Sequence, residues 1–176
     1  TGLPVKYYIV LDFEGFREII DTLGGVEVDV PMDMVYRDPV QGLYINLKKG
    51  RQVLDGRKAE QFVRYRKGNK PGQGYEDGDI GRSRAQQQFV RELISQKLNV
   101  KYLSKARDIF LILSKHMKTN IKLSDLIYYL KDLQKIDSDG VMTFTAPGDS
   151  KLIKKVWYFI CDQDELRSLI DTHFFK

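Results

Sequence analysis

A chain of 176 residues, 42% of them hydrophobic, is long enough to enclose the core of one domain, and nothing in it demands two. Its net charge of +5, from 29 Lys and Arg against 24 Asp and Glu, favours an acidic partner, whether nucleic acid, anionic lipid head group or phosphorylated polymer, without choosing among them. The one cysteine, Cys161, excludes an intrachain disulfide and a multi-cysteine metal site, and there is no run of about 18 apolar residues to span a membrane.

Thr1-Gly2-Leu3-Pro4 opens the chain with neither an initiating Met nor a signal peptide and leads directly into a strand-like segment at 5–11, so the sequence reads as starting inside a domain. Asp12 is placed to cap a helix over 13–23, with Phe16, Ile19, Ile20 and Leu23 at helical spacing, and Gly24-Gly25 ends it. Val26, Val28 and Val30 alternate with Glu27 and Asp29 as in a half-exposed strand, which Pro31 closes. A further strand is predicted over 43–47. Asp55-Gly56 then opens a short helix that turns Ala59, Phe62 and Val63 inward and delivers the chain to Arg64.

Five Gly or Pro residues among the twelve of 67–78 make that segment a loop, either a disordered bulge or a mobile lid beside the basic residues that flank it. Helices are predicted over 79–98, 102–117 and 124–133, and strands over 141–146 and 156–161. The last helix, 163–174, is capped by Asp162, with Glu165 in the reciprocal capping position. Strands and helices mixed without strict alternation indicate an α/β layer sandwich.

The chemistry concentrates in Phe62-Val63-Arg64-Tyr65-Arg66 and in the helix that begins at Asp79. If 64–66 is extended, the period of two sends Arg64 and Arg66 to one face. On the helix, Asp79, Arg82, Gln86, Phe89 and Leu93 fall within an arc of about 80°. Phe89 and Leu93 mark that stripe as a buried face, so the acid, cation and amide of its first two turns point towards the protein. A helix N-terminus favours an anion at the same place. Together these cations suit an oligophosphate, because a planar guanidinium holds two phosphate oxygens at once. Arg84 lies on the opposite side of its helix from Arg82, and Lys67 and Lys70 sit in the loop, so these three read as a solvated basic face.

For Asp79, three roles stand open: a general base, a residue that orients an arginine, or the helix N-cap. Gln86 is read as hydrogen-bonding a ligand or a neighbouring arginine. Glu76, Asp77 and Asp79 lack the spacing of a calcium loop, and His116 and His173 have no ligand-spaced partner and read as surface or interface residues, so no metal site is assigned. Walker, nucleophile-elbow, helix-turn-helix and RNA-binding signatures are all absent.

Taken with Gly24 through Pro31 and Leu54-Asp55-Gly56, the Arg-Tyr-Arg and Asp-x-Gly-Arg elements and Gln86-Gln87 make the chain similar to the LytR-CpsA-Psr family, the resemblance extending to Thr119-Asn120. It implies an α-β-α sandwich with a mixed central sheet. Residues 1–176 would be a single domain fragment of that type, lacking its N-terminal portion and membrane anchor. It further implies a magnesium-dependent phosphotransferase on the extracytoplasmic face of the cell membrane, which moves an anionic glycopolymer such as wall teichoic acid or capsular polysaccharide from a polyprenyl-pyrophosphate carrier to peptidoglycan. On that reading Arg64, Arg66, Arg82 and Gln86 bind the pyrophosphate, Asp79 and Arg82 are catalytic, and Phe89 and Leu93 line a lipid channel unless they are ordinary core. The magnesium ligands would lie in the portion N-terminal to Thr1. Members often carry arginine before the paired glutamines where this chain has Ala85, so one cation is either missing or displaced to Arg84. Two other readings stay open: a DNA-binding transcriptional attenuator, and a noncatalytic binder of anionic lipid or polymer. Specific nucleic-acid binding is not expected, because the arginines occupy inward positions.

Overall fold

Asp12 caps the first helix as its position implied. Its carboxylate accepts from Gly15 N at 2.8 Å, and α1 runs over Phe13–Thr22. The computed structural model describes residues 2–97, 100–122, 125 and 141–175, and they form two compact units, one of residues 7–142 and one of residues 1–6 with 143–176.

In the larger unit the valine alternation does what it predicts. β2 (Val26–Val30) buries Val26, Val28 and Val30 and pairs antiparallel with β5 (Gly50–Leu54), Val26 opposite Leu54. β3 (Met34–Asp38) pairs in the same sense with β4 (Leu43–Leu47), and Asp38 Oδ1 accepts from Val40 N and Gln41 N to close the turn between them. β1 (Ile9–Leu11) pairs antiparallel with β6 (Met117–Thr119). α2 (Gly56–Arg64) packs against β4 and β5 and α3 (Asp79–Lys97) against β2, and their Phe62 and Phe89 rings meet at a tilt with centroids 6.3 Å apart, with Phe16 of α1 5.7 Å from Phe89. Each such ring or aliphatic chain contributes about 1.5–3 kcal/mol on burial.

The start of α2 is fixed twice. Asp55 accepts from Lys58 N, and Gly56 N donates to Asp21 Oδ1 at 2.7 Å. A Cβ on Gly56 would collide with the backbone of Arg17, so only glycine lets α2 lie this close to α1.

Several expectations are corrected. The N-terminal strand is three residues long, because only Ile9–Leu11 finds a partner in β6. A 3-10 turn over Val100–Lys105 precedes α4 (Ala106–His116), so the expected 102–117 helix begins later. Except for Asp125, the 124–133 helix falls outside the described residues. His116 is buried, not a surface residue: its Nδ1 lies 3.0 Å from Asp12 Oδ1 and its Nε2 3.8 Å from Glu18 Oε1. The Gly15 amide and then His116 hold the Asp12 carboxyl below the usual aspartate value.

In the smaller unit, β7 (Gly148–Ile153) and β8 (Val156–Cys161) form an antiparallel hairpin followed by α5 (Gln163–Phe174). The expected strand at 141–146 is displaced because the turn sets the register. Lys154 and Lys155 both take the left-handed conformation, with φ of 49° and 66°, and so fix Ile153 opposite Val156. Asp162 caps α5 through Asp164 N and Glu165 N, while its own amide donates to Pro147 O, so the reciprocal bond from Glu165 is not made. The chain is thus α/β, and among the described residues its strands pair as four antiparallel ladders.

Candidate functional site

Arg64 is the last residue of α2, not part of a strand. Tyr65 follows as its C-cap with an extended backbone (φ −64°, ψ 130°), and its side chain is 1% exposed. That buried ring is a pivot: it locks the chain at the end of α2, so Arg64 before it and Arg66 after it reach the same cleft. The period-of-two reasoning gave the right meeting point for the wrong backbone. The cleft encloses about 500 Å3 and is lined by Arg64, Arg66, Arg82 and Gln86, with Lys67 and the rings of Phe13 and Tyr36.

Each side of the cleft is held by a carboxylate shared between two arginines. On one side Glu60, one turn before Arg64, is 8% exposed. Its Oε1 receives Arg64 Nη1 and its Oε2 receives Arg17 Nη1, both at 2.7 Å. The Arg64 guanidinium also lies over the Phe13 ring, 4.7 Å from its centroid. With one arginine on each oxygen, the buried carboxylate is fully paired, which its removal from water requires. On the other side Asp79, the first residue of α3 and not its cap, places Oδ1 2.6 Å from Arg82 Nη2 and Oδ2 3.7 Å from Arg66 Nε. The bridge across one turn to Arg82 therefore exists, and it turns the guanidinium along the cleft instead of removing it.

Gln86 Nε2 donates to Val63 O at 2.9 Å, satisfying one of the carbonyls that the end of α2 leaves without a helical partner. The amide thus ties α3 to α2 at the cleft. Gly81, between Asp79 and Arg82, has a structural cause: a Cβ there would run into Tyr75 and Asp77 of the preceding loop. That loop is ordered by bonds from Tyr75 N to Arg66 O and from Gly68 N to Gln73 O, and the Tyr65 and Tyr75 rings meet edge-on at 6.0 Å. Burial pushes the Tyr75 hydroxyl up to about 12.

Other candidates lie elsewhere. Phe89 is 1% exposed and Leu93 packs at the edge of the same core, so both serve packing there and neither lines the cleft. Ala85 is buried in that core, and Arg84 does not replace the cation: its Nη1 is held by Asp77 Oδ2 at 2.6 Å, off the cleft. Lys70 is also outside it, whereas Lys67, read from sequence as a solvated charge, lines it. Glu60, Arg17 and Phe13 were not singled out. The i,i+4 spacing of Glu60 to Arg64 was a readable signal; Arg17, 43 residues from Glu60, carried none. Among the described residues no three His, Cys, Asp or Glu side chains group closely enough to hold a metal, and Asp77 and Asp79 are taken by arginines, so the residues present do not fit magnesium.

The chain is similar to known proteins over nearly all of its length. It is 27% identical over 167 residues to the Polyisoprenyl-teichoic acid--peptidoglycan teichoic acid transferase TagU of Bacillus licheniformis, covering 95% of this chain and 50% of that protein. To the transferase of the same description TagV of Bacillus subtilis it is 28% identical, covering 97% of this chain and 43% of that protein. The chain thus spans about half the length of the curated relatives it matches. Its fold matches the crystal structure of B. subtilis TagV with a TM-score of 0.72 at 26% identity, over 97% of this chain and 65% of that one. It matches TagT bound to LIIa-WTA with a TM-score of 0.71 at 25% identity, over 97% and 60%. The family model matches residues 1–174, so nearly the whole chain carries its pattern, the arginine cleft included, and the chain belongs to the LytR_cpsA_psr family.

Proposed function

We propose that the cleft holds the pyrophosphate of a lipid-linked anionic glycopolymer and that the protein takes part in transferring the polymer to peptidoglycan, outside the cytoplasm. The observation that carries this is the meeting of Arg64, Arg66 and Arg82 in one cleft, oriented by Glu60 and Asp79. The names of the relatives supply the substrate class: teichoic acid, a polyisoprenyl carrier and peptidoglycan.

The acceptor hydroxyl attacks the polymer-side phosphorus in line, the bridging phosphorus–oxygen bond of the pyrophosphate breaks, the carrier leaves as its monophosphate, and the hydroxyl proton passes to water. Charge builds on the departing phosphate oxygens as that bond breaks. Guanidiniums already fixed in place stabilise that charge without reorganising at the moment of reaction. Asp79, engaged by two arginines, serves to aim them rather than to take a proton. No step is assigned to a metal on this chain. A groove-reading role on DNA is disfavoured, because these cations lie in a concave cleft and are tied to carboxylates instead of facing outward.

Calorimetric titration with farnesyl pyrophosphate tests the reading, with farnesol as control. The wild-type chain binds the pyrophosphate and not the alcohol, and Arg82→Ala weakens binding about tenfold or more. Equal binding of the two ligands, or an unchanged affinity in Arg82→Ala, would overturn it.

A further inference from the structure

A second cleft of about 300 Å3 adjoins the first, and the two share Arg64 and Leu43 in their walls. Three guanidiniums line it, those of Arg17, Arg57 and Arg64, against the single carboxylate of Glu60. That carboxylate is already divided between Arg17 and Arg64, each of which gives it only Nη1 and keeps its remaining N–H groups. The Arg57 side chain makes no hydrogen bond or ion pair among the described residues. The cleft therefore holds two uncompensated positive charges and, in Gln61 and Tyr44, two neutral hydrogen-bonding side chains. Arg57 is exposed, so its guanidinium is open to a ligand arriving from solvent.

We propose that this second cleft is an anion subsite for a phosphodiester of the polymer backbone, with Arg57 its main ligand. Resting on the pyrophosphate reading of the first cleft, it extends that site to a second contact with the polymer beyond its linkage. Arg64 joins the two subsites, since it borders both and is held by Glu60. A phosphodiester carries one charge and two free oxygens, which matches the fork of one guanidinium.

Arg57 is the residue to vary, because it lines only the second cleft and holds no other side chain, whereas Arg17 and Arg64 also neutralise Glu60. Two probes are titrated by calorimetry into the wild-type chain and into the Arg57→Glu, Arg57→Lys and Arg82→Ala variants: inorganic pyrophosphate and a short synthetic oligo(glycerol phosphate). Circular dichroism confirms that each variant is folded. Arg57→Glu weakens the oligomer about tenfold or more and leaves pyrophosphate within about twofold, Arg57→Lys recovers part of the oligomer affinity, and Arg82→Ala weakens pyrophosphate. Unchanged oligomer affinity in Arg57→Glu overturns the subsite. So does loss of both ligands by the same factor, which would mark a general charge effect. If the wild type binds no pyrophosphate, the reading of the first cleft fails; an oligomer affinity that still depends on Arg57 would leave the second cleft standing alone, and no oligomer binding would remove both.

Discussion

The two sides of the arginine cleft are built to the same plan in different surroundings. Glu60 shares its carboxylate between Arg17 and Arg64 with its side chain 10% exposed; Asp79 shares its own between Arg66 and Arg82 with its side chain 56% exposed. A buried carboxylate is costly without its partners, so the Glu60 side is bound up with the stability of α1 and α2. An exposed one is screened by water, so the Asp79 side sets direction without carrying much of the fold. One cleft thus has a stiff wall and an adjustable wall. The adjustable wall stands on the helix that begins with the Asp-x-Gly-Arg element.

The largest effect is expected on turnover. In the full-length protein, with a synthetic lipid-linked polymer and peptidoglycan, Arg82→Ala lowers transfer by about 100- to 1,000-fold, as loss of one preorganised donor does. Arg82→Lys falls nearly as far, because an ammonium keeps the charge and loses the fork. Near-normal turnover by the lysine variant would show that charge alone suffices and would remove geometry from the comparison.

Stability separates the walls. Glu60→Ala costs about 3 kcal/mol in urea denaturation, at the low end for a broken buried pair because its arginines reach water. Asp79→Ala costs less than about 0.5 kcal/mol. Similar losses in both would mean that the walls do not differ. Between these sits Gly81→Ala, at about 1–3 kcal/mol, since its methyl group must displace Tyr75 or Asp77. It should also weaken pyrophosphate binding by moving Arg82; normal binding with normal stability would refute the packing reason for this glycine. Lys70→Ala, outside the cleft, changes turnover by less than about twofold.

Local patterns were legible where one element decides its own fate. The Asp12 and Asp162 caps, the buried alternation of Val26, Val28 and Val30 and the helix from Asp79 all follow from near neighbours. β3 and β5 were not, because each is defined by the partner it meets, and Gly50-Arg51-Gln52-Val53-Leu54 has too few apolar residues to announce itself. The cleft was half legible: Arg64, Arg66, Arg82 and Gln86 were named together with Asp79, while the group that aims Arg64 is Glu60, itself held by Arg17. His116 shows the same limit. Its carboxylate partner, Asp12, lies 104 residues away, a pairing that no spacing rule reveals.

The central claim is that two carboxylate-held arginine pairs aim three guanidiniums at one pyrophosphate. Its most direct test is an experimental structure of this chain with pyrophosphate bound. The account predicts phosphate oxygens at roughly 3 Å from guanidinium nitrogens of Arg64, Arg66 and Arg82 at once, with Glu60 and Asp79 still paired behind them. Pyrophosphate bound elsewhere, with those three side chains untouched, would contradict it.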